Sequence, residues 1–135
     1  MKKLSVDARV DVLDDVLAFV DSVLEENDCP MKVSMQIDVA VEEVFVNIAS
    51  YAYSDGTGKA DISIEVEDDP KKIVIEFSDN GMPFDPLAKE DPDVTLSAEE
   101  RQIGGLGIYM VKRSMDDVKY RYENGCNILT ISKYM

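Results

Sequence analysis

Apolar residues recur along this chain in two different periods, and the periods divide it into elements. Residues 2–6 form a short run suited to an edge strand. From Asp7 the pattern turns helical. Val10, Leu13, Leu17, Val20 and Leu24 recur at three- and four-residue steps and lay one stripe on a helix face. Asp7 stands where an N-cap would, and Asp11, Asp14, Asp15, Asp21 and Glu25 fall largely off the stripe. This helix is expected to end near Asn27, ahead of Pro30. A second helix is expected over residues 34–53, with Ile37, Val41, Val44, Phe45, Ile48 and Ala52 as its stripe.

After a turn at residues 55–58 the period changes to two. Ile62, Ile64 and Val66 alternate with polar residues, and Ile73, Ile75 and Phe77 alternate again beyond Asp68-Asp69-Pro70, which predicts a hairpin. Residues 79–107 break both patterns. They hold three of the five prolines and four of the seven glycines, and so long a connection in a compact domain is usually functional or disordered. A short helix near 97–101 is possible within it. Residues 106–115 read helical, with Ile108, Val111 and Met115 facing a core. Residues 118–122 and 128–133 read as strands around an Asn124-Gly125 turn. The element order predicts one α+β domain over residues 1–135. Its architecture is a two-layer α/β sandwich, a mixed, mostly antiparallel sheet with helices on one face.

Composition narrows the chemistry. A chain of 135 residues with 45% hydrophobic residues can build one core without staples. The lysines at the N-terminus are not followed by a long apolar segment, so no signal peptide is expected and the cytoplasm is the default location. No apolar run is long enough to span a membrane. The net charge is −14, which repels nucleic acid and anionic membranes, and no basic run offsets it. There is no histidine, which excludes Ser-His-Asp triads, Cys-His pairs, histidine metal ligands and a phosphohistidine carrier. Cys29 and Cys126 lie far apart and are expected to be free thiols. Chemistry therefore falls to carboxylates, amides, hydroxyls and backbone groups.

Three places carry candidate chemistry. Glu43 and Asn47 share a helix face at i, i+4, and that face is expected to lie away from Val41, Val44 and Ile48. Side by side they suit a base and a hard-cation ligand, although such a pair is also common on solvated helices. Asp79-Asn80-Gly81 directly follows a strand. Its plainer reading is a turn; its functional reading is a carboxylate that accepts from a base's exocyclic amine, with Gly81 letting backbone approach a flat ring. Gly104-Gly105-Leu106-Gly107 opens the third helix and is a hinge, a phosphate-binding turn, or both. Gly56-Thr57-Gly58-Lys59 only imitates a P-loop: Tyr53 and Ala60 occupy positions that need Gly and Ser/Thr, and a strand follows.

Taken in order, Glu43-x-x-x-Asn47, Asp79-x-Gly81-x-Pro83-Phe84-Asp85 and Gly104-Gly105-Leu106-Gly107 resemble the ATP-site motifs of the gyrase/Hsp90/histidine-kinase/MutL ATPases. Within that superfamily the chain is most similar to the small anti-sigma-factor serine kinases, over nearly its whole length. The resemblance implies a Bergerat-type ATP-binding fold with ATP and Mg²⁺ as cofactors. It implies Glu43 as general base, Asn47 as Mg²⁺ ligand, and Asp79 as the adenine-reading carboxylate with Thr130 as its helper through water. Gly81 would lie under the ring. Residues from about 86 to 105 would form a lid, and Gly105, Leu106 and Gly107, with Gly104 beside them, would bind phosphate. Tyr51 departs from the family, where many relatives have histidine.

The implied partners are a STAS-type anti-sigma antagonist, phosphorylated on serine or threonine, and a sigma factor, with neither nucleic acid nor membrane bound directly. Relatives are commonly homodimers, but the Asp-rich first helix would make a poor seam. Lys89 and Arg101 are candidates to reach the γ-phosphate, and Arg9 to touch a partner. The competing reading is a nucleotide-dependent switch that holds a partner without phosphorylating it.

Overall fold

The computed structural model describes residues 1–53, 58–88 and 105–135. A five-stranded sheet runs in the order β1-β2-β3-β5-β4, with β1 at Lys2–Asp7, β2 at Lys59–Glu67, β3 at Lys72–Asp79, β4 at Asp117–Glu123 and β5 at Cys126–Tyr134. All four pairings are antiparallel, so the α+β sandwich expected from the sequence is present with a simpler sheet than a mixed one. Helices α1 (Leu13–Glu26), α2 (Met31–Tyr51) and α3 (Gly105–Ser114) supply the second layer. None of the described helices is long and apolar enough to cross a membrane.

Strand alternation decides which face the helices cover. Ala60, Ile62 and Ile64 of β2 are buried, as are Ile73, Ile75 and Phe77 of β3 and Leu129 and Ile131 of β5. Opposing them are Val16, Val20, Ile37, Val41, Val44 and Phe45 from the helices. Phe45 and Phe77 are the largest side chains fully withdrawn from water, and each contributes a few kcal/mol, about 2–3, by burial alone. The turn joining β4 to β5 has Asn124 and Gly125 at φ of 55° and 78°, the two left-handed residues that a tight hairpin requires.

Two expected boundaries shift. Asp7 does not cap a helix. It ends β1 opposite Lys59, whose ammonium sits 2.7 Å from its carboxylate and lowers the Asp7 pKa. A 3₁₀ turn at Val10–Val12 follows, and α1 starts only at Leu13. Val10 is consequently 53% exposed, and the buried ridge of α1 is Val16, Val20, Val23 and Leu24, with Leu13 and Leu17 at its margin. Helix α2 begins three residues early. Pro30, extended at φ −58° and ψ 143°, stands at its N-cap, where the missing N–H costs nothing.

Candidate active site

Helix α2 sets the long axis of the site. Glu43, Asn47 and Tyr51 follow one another at four-residue steps, so they line one helix face over about 12 Å, using a rise of ~1.5 Å per residue. Asn47 and Tyr51 border an open cleft, together with Phe77, Asp79, Phe84 and Asn127. Val44 and Ile48 also line it, so the face bearing Asn47 is not turned away from the apolar stripe as expected. The reason is geometric: residues at i and i+3 or i+4 are neighbours on a helix, and the cleft is wider than one row.

Asp79 closes one end of the cleft. It is the last residue of β3, on the inward face, and only 6% exposed. Its Oδ1 accepts from the Gly81 N–H at 2.9 Å and from Asn127 Nδ2 at 3.0 Å. No described residue donates to Oδ2. Tyr53 braces the following residue: its hydroxyl accepts from the Asn80 N–H at 2.9 Å and donates to the Lys59 carbonyl at 2.6 Å. Tyr51, half exposed, stacks on Phe84 with ring centroids 6.0 Å apart and planes 29° apart, forming an aromatic rim.

One helical turn before Asn47, at Glu43, α2 meets α3. A Cβ built on Gly107 would lie 2.1 Å from Glu43 Oε2. The Glu43 carboxylate therefore occupies the space that a side chain at 107 would fill, which brings together two motifs 64 positions apart. Neither the Glu43 carboxylate nor the Asn47 carboxamide has a hydrogen-bond partner among the described residues. Helix α3 starts at Gly105, and the first four N–H groups of a helix lack an intrahelical acceptor; Gly105, Leu106 and Gly107 supply three of them. Among the described residues no group of three or more carboxylates and cysteines is placed to hold a metal.

Three expected placements change or fall away. Thr130 stands across from Glu76, whereas Asp79 pairs with Asn127. Residues 76 and 79 differ by an odd number, so Thr130 points to the opposite face of the sheet and cannot help Asp79. Asn127 takes that place, and a hairpin register counted from Asn124-Gly125 would have found it: it is the amide on the inward face shared with Leu129 and Ile131. Gly81 does not line the cleft. A Cβ there would meet the Ala52 carbonyl oxygen at 2.1 Å, so its missing side chain serves contact with the end of α2. Arg9 precedes the 3₁₀ turn rather than a helix, and pairs with Asp11 at 3.1 Å. Gly104, Lys89, Arg101, the short helix near 97–101 and most of the expected lid lie outside the described residues. Cys29 and Cys126 are free thiols, as expected.

The structure thus sets a buried sheet-end carboxylate and a helix-borne amide on one cleft, and a glycine turn against the acid one helical turn away. The chain belongs to the histidine kinase-like ATPase domain family, whose model matches residues 6–133. It is similar to the serine-protein kinase RsbW of Listeria monocytogenes, 32% identical over 103 residues, or 73% of this chain and 64% of that kinase. The match thus spans just under two thirds of that relative's length. It is also similar to the serine/threonine-protein kinase BtrW of Bordetella bronchiseptica, 22% identical over 120 residues, 89% of this chain and 84% of that one. Among solved structures, the RsbU and RsbW domains of Rv1364c from Mycobacterium tuberculosis superpose with a TM-score of 0.64 at 14% identity, covering 99% of this chain and 32% of that one, which shows the shared fold. The likeness to anti-sigma-factor serine kinases read from the motifs is met by relatives that carry that kinase name.

Proposed function

We propose that this chain is an ATP-dependent serine/threonine protein kinase of the anti-sigma-factor type. The observation that carries this reading is the row Glu43, Asn47 and Tyr51 on one face of α2, with Asp79 at one end and Gly107 against the other. The row is about as long as a nucleoside triphosphate needs, with the base at Asp79 and the terminal phosphate near Glu43. Asp79 Oδ2 accepts from the adenine amine, and Phe77, Tyr51 and Phe84 shield the ring from water.

At the phosphate end, the N–H groups at the start of α3 face the triphosphate, where a helix N-terminus favours negative charge. Asn47 would hold Mg²⁺ through its side-chain oxygen. When bound, Mg²⁺ offsets charge on the phosphates during transfer. Glu43 accepts the proton of the attacking serine or threonine hydroxyl and orients that oxygen. The net charge of −14 opposes ATP at long range, so these local groups carry the binding.

By the same reading the substrate is a STAS-type antagonist, the chain also binds a sigma factor, and nucleotide occupancy biases which of the two it holds. Incubation of wild type and Glu43→Ala with labelled ATP and a STAS-domain antagonist tests it. Label on the antagonist with wild type alone supports the kinase. Stable, ATP-dependent binding of the antagonist without label would replace it with the binding switch.

A further inference from the structure

The Asn127 carboxamide is the most fully used polar group of the described structure. It is 7% exposed and sits at the start of β5, where the sheet meets the cleft. Its Nδ2 donates to Asp79 Oδ1 at 3.0 Å and to the Met82 carbonyl at 2.9 Å, with the Gly81 carbonyl at 3.5 Å as a long third contact. Its Oδ1 accepts from the Phe84 N–H at 3.1 Å and from the Tyr120 hydroxyl. Two N–H donors and two oxygen lone pairs are all matched, and this pattern fixes which way the amide points. An aspartate has no donor for Asp79 or Met82. A serine or threonine has one donor and cannot span both sides. The site thus specifies asparagine.

The partners of this one group are the groups that shape the nucleobase end. Asp79 Oδ1 is held from two directions, so Oδ2 alone is left for a ligand. The segment 82–84 is tied at a carbonyl and at an N–H, and this holds the Phe84 ring against Tyr51. We propose that Asn127 is a positioning residue for nucleobase selection: it aims Asp79 at an exocyclic amine and sets the aromatic wall facing that base. The inference rests on the nucleotide reading given above. It adds that selectivity for a 6-amino over a 6-oxo purine depends on a side chain that does not itself have to touch the base.

Calorimetric titration of MgATP and MgITP into wild type, Asn127→Ser and Tyr120→Phe, each with a thermal melt, tests this. Inosine carries an oxo group where adenine carries the amine. Wild type is expected to prefer ATP. Asn127→Ser is expected to weaken ATP about 10-fold or more while changing ITP little, the usual effect of losing a hydrogen bond to a charged group. Tyr120→Phe, which removes one of two donors to Oδ1, is expected to lower the ratio in the same direction by less. A lower melting temperature with an unchanged ATP:ITP ratio in both variants overturns the inference and leaves the nucleotide reading intact. If Asn127→Ser does not fold, the ratio for Tyr120→Phe decides alone. If wild type binds neither nucleotide, the nucleotide reading falls and the inference with it.

Discussion

Gly107→Ala separates the fold from the chemistry more sharply than any other single change. The substitution lies in the first turn of α3, with no positive φ to strain, so the helix accepts alanine. Replacing glycine in a helix interior with alanine gains up to ~1 kcal/mol, and less near an end. The added methyl, however, arrives 2.1 Å from Glu43 Oε2 and 3.0 Å from its Cδ. The carboxylate must retreat by at least about 1.3 Å to restore an ordinary contact. It is the far end of a flexible side chain, so the retreat costs the fold little. On the proposed role of Glu43 as base it costs the reaction much, because a displacement of ~1 Å in a catalytic group is worth about 100-fold in rate. The expected result is an unchanged or slightly higher melting temperature, an ATP dissociation constant within a few-fold of wild type, and turnover down about 100-fold. The assay is ADP release under saturating MgATP, with calorimetry and a melt on the same samples. Turnover equal to wild type would refute the placement of Glu43 at the reacting centre. A collapse in melting temperature would refute the claim that the carboxylate can move freely.

Other consequences follow from the same geometry. Gly81→Ala places a methyl against backbone, not a side chain, and disturbs the Met82 N–H···O=C Ala52 bond of 2.9 Å, so it is expected to destabilise by about 2–4 kcal/mol, read by denaturant titration. Phe45→Ala empties a fully buried site and is expected to cost about 3–5 kcal/mol in the same titration. Asp38, on α2 facing Asp21 of α1, has its pKa raised from 3.8 to about 7, first by burial and then by the neighbouring carboxyl; its Oδ1 is buried with no partner among the described residues. A raised acid favours the folded state below its unfolded pKa and loses that contribution as pH climbs towards 7. Asp38→Asn is therefore expected to raise the melting temperature at pH 8 by roughly 3 °C, allowing for solvent screening, and to leave it nearly unchanged at pH 4. An equal shift at both pH values would remove the titration of Asp38 as the cause.

Strands β2 and β3 were readable from the sequence because one face of each is buried and the other more exposed. Ile62 with Ile64, and Ile73 with Ile75 and Phe77, announce that contrast at period two. The first helix was harder. Val10 and Leu13 continue a helical spacing by chance, while Asp7 is committed to β1 by its pairing with Lys59, a contact 52 positions away that no local pattern contains. At the site, Glu43, Asn47 and Asp79 were singled out by the motif resemblance, and the structure places Asn47 and Asp79 on one cleft with Glu43 one helical turn away. Thr130 misled because its residue type suited the task while its parity did not. Asn127 and Tyr120 act through one another, through Asp79 and through loop backbone, so composition is silent about them, and only a strand register counted from Asn124-Gly125 points to Asn127. Gly81 was found for a reason the structure replaces: Ala52 is what it must avoid.

The row on α2 also constrains how this chain can change over evolutionary time. Glu43, Asn47 and Tyr51 lie on one continuous helix, so their relative angle is set by residue count alone. Inserting or deleting one residue between positions 43 and 51 turns everything beyond it by about 100° and carries Tyr51 and Ala52 off the cleft. Loops absorb such length changes by rearranging; an uninterrupted helix cannot. This stretch can accept many substitutions on its outer face, but its length is fixed as firmly as the identity of any residue in it. On the proposed reading, a homologue with a gap there would have to find its nucleobase contacts elsewhere.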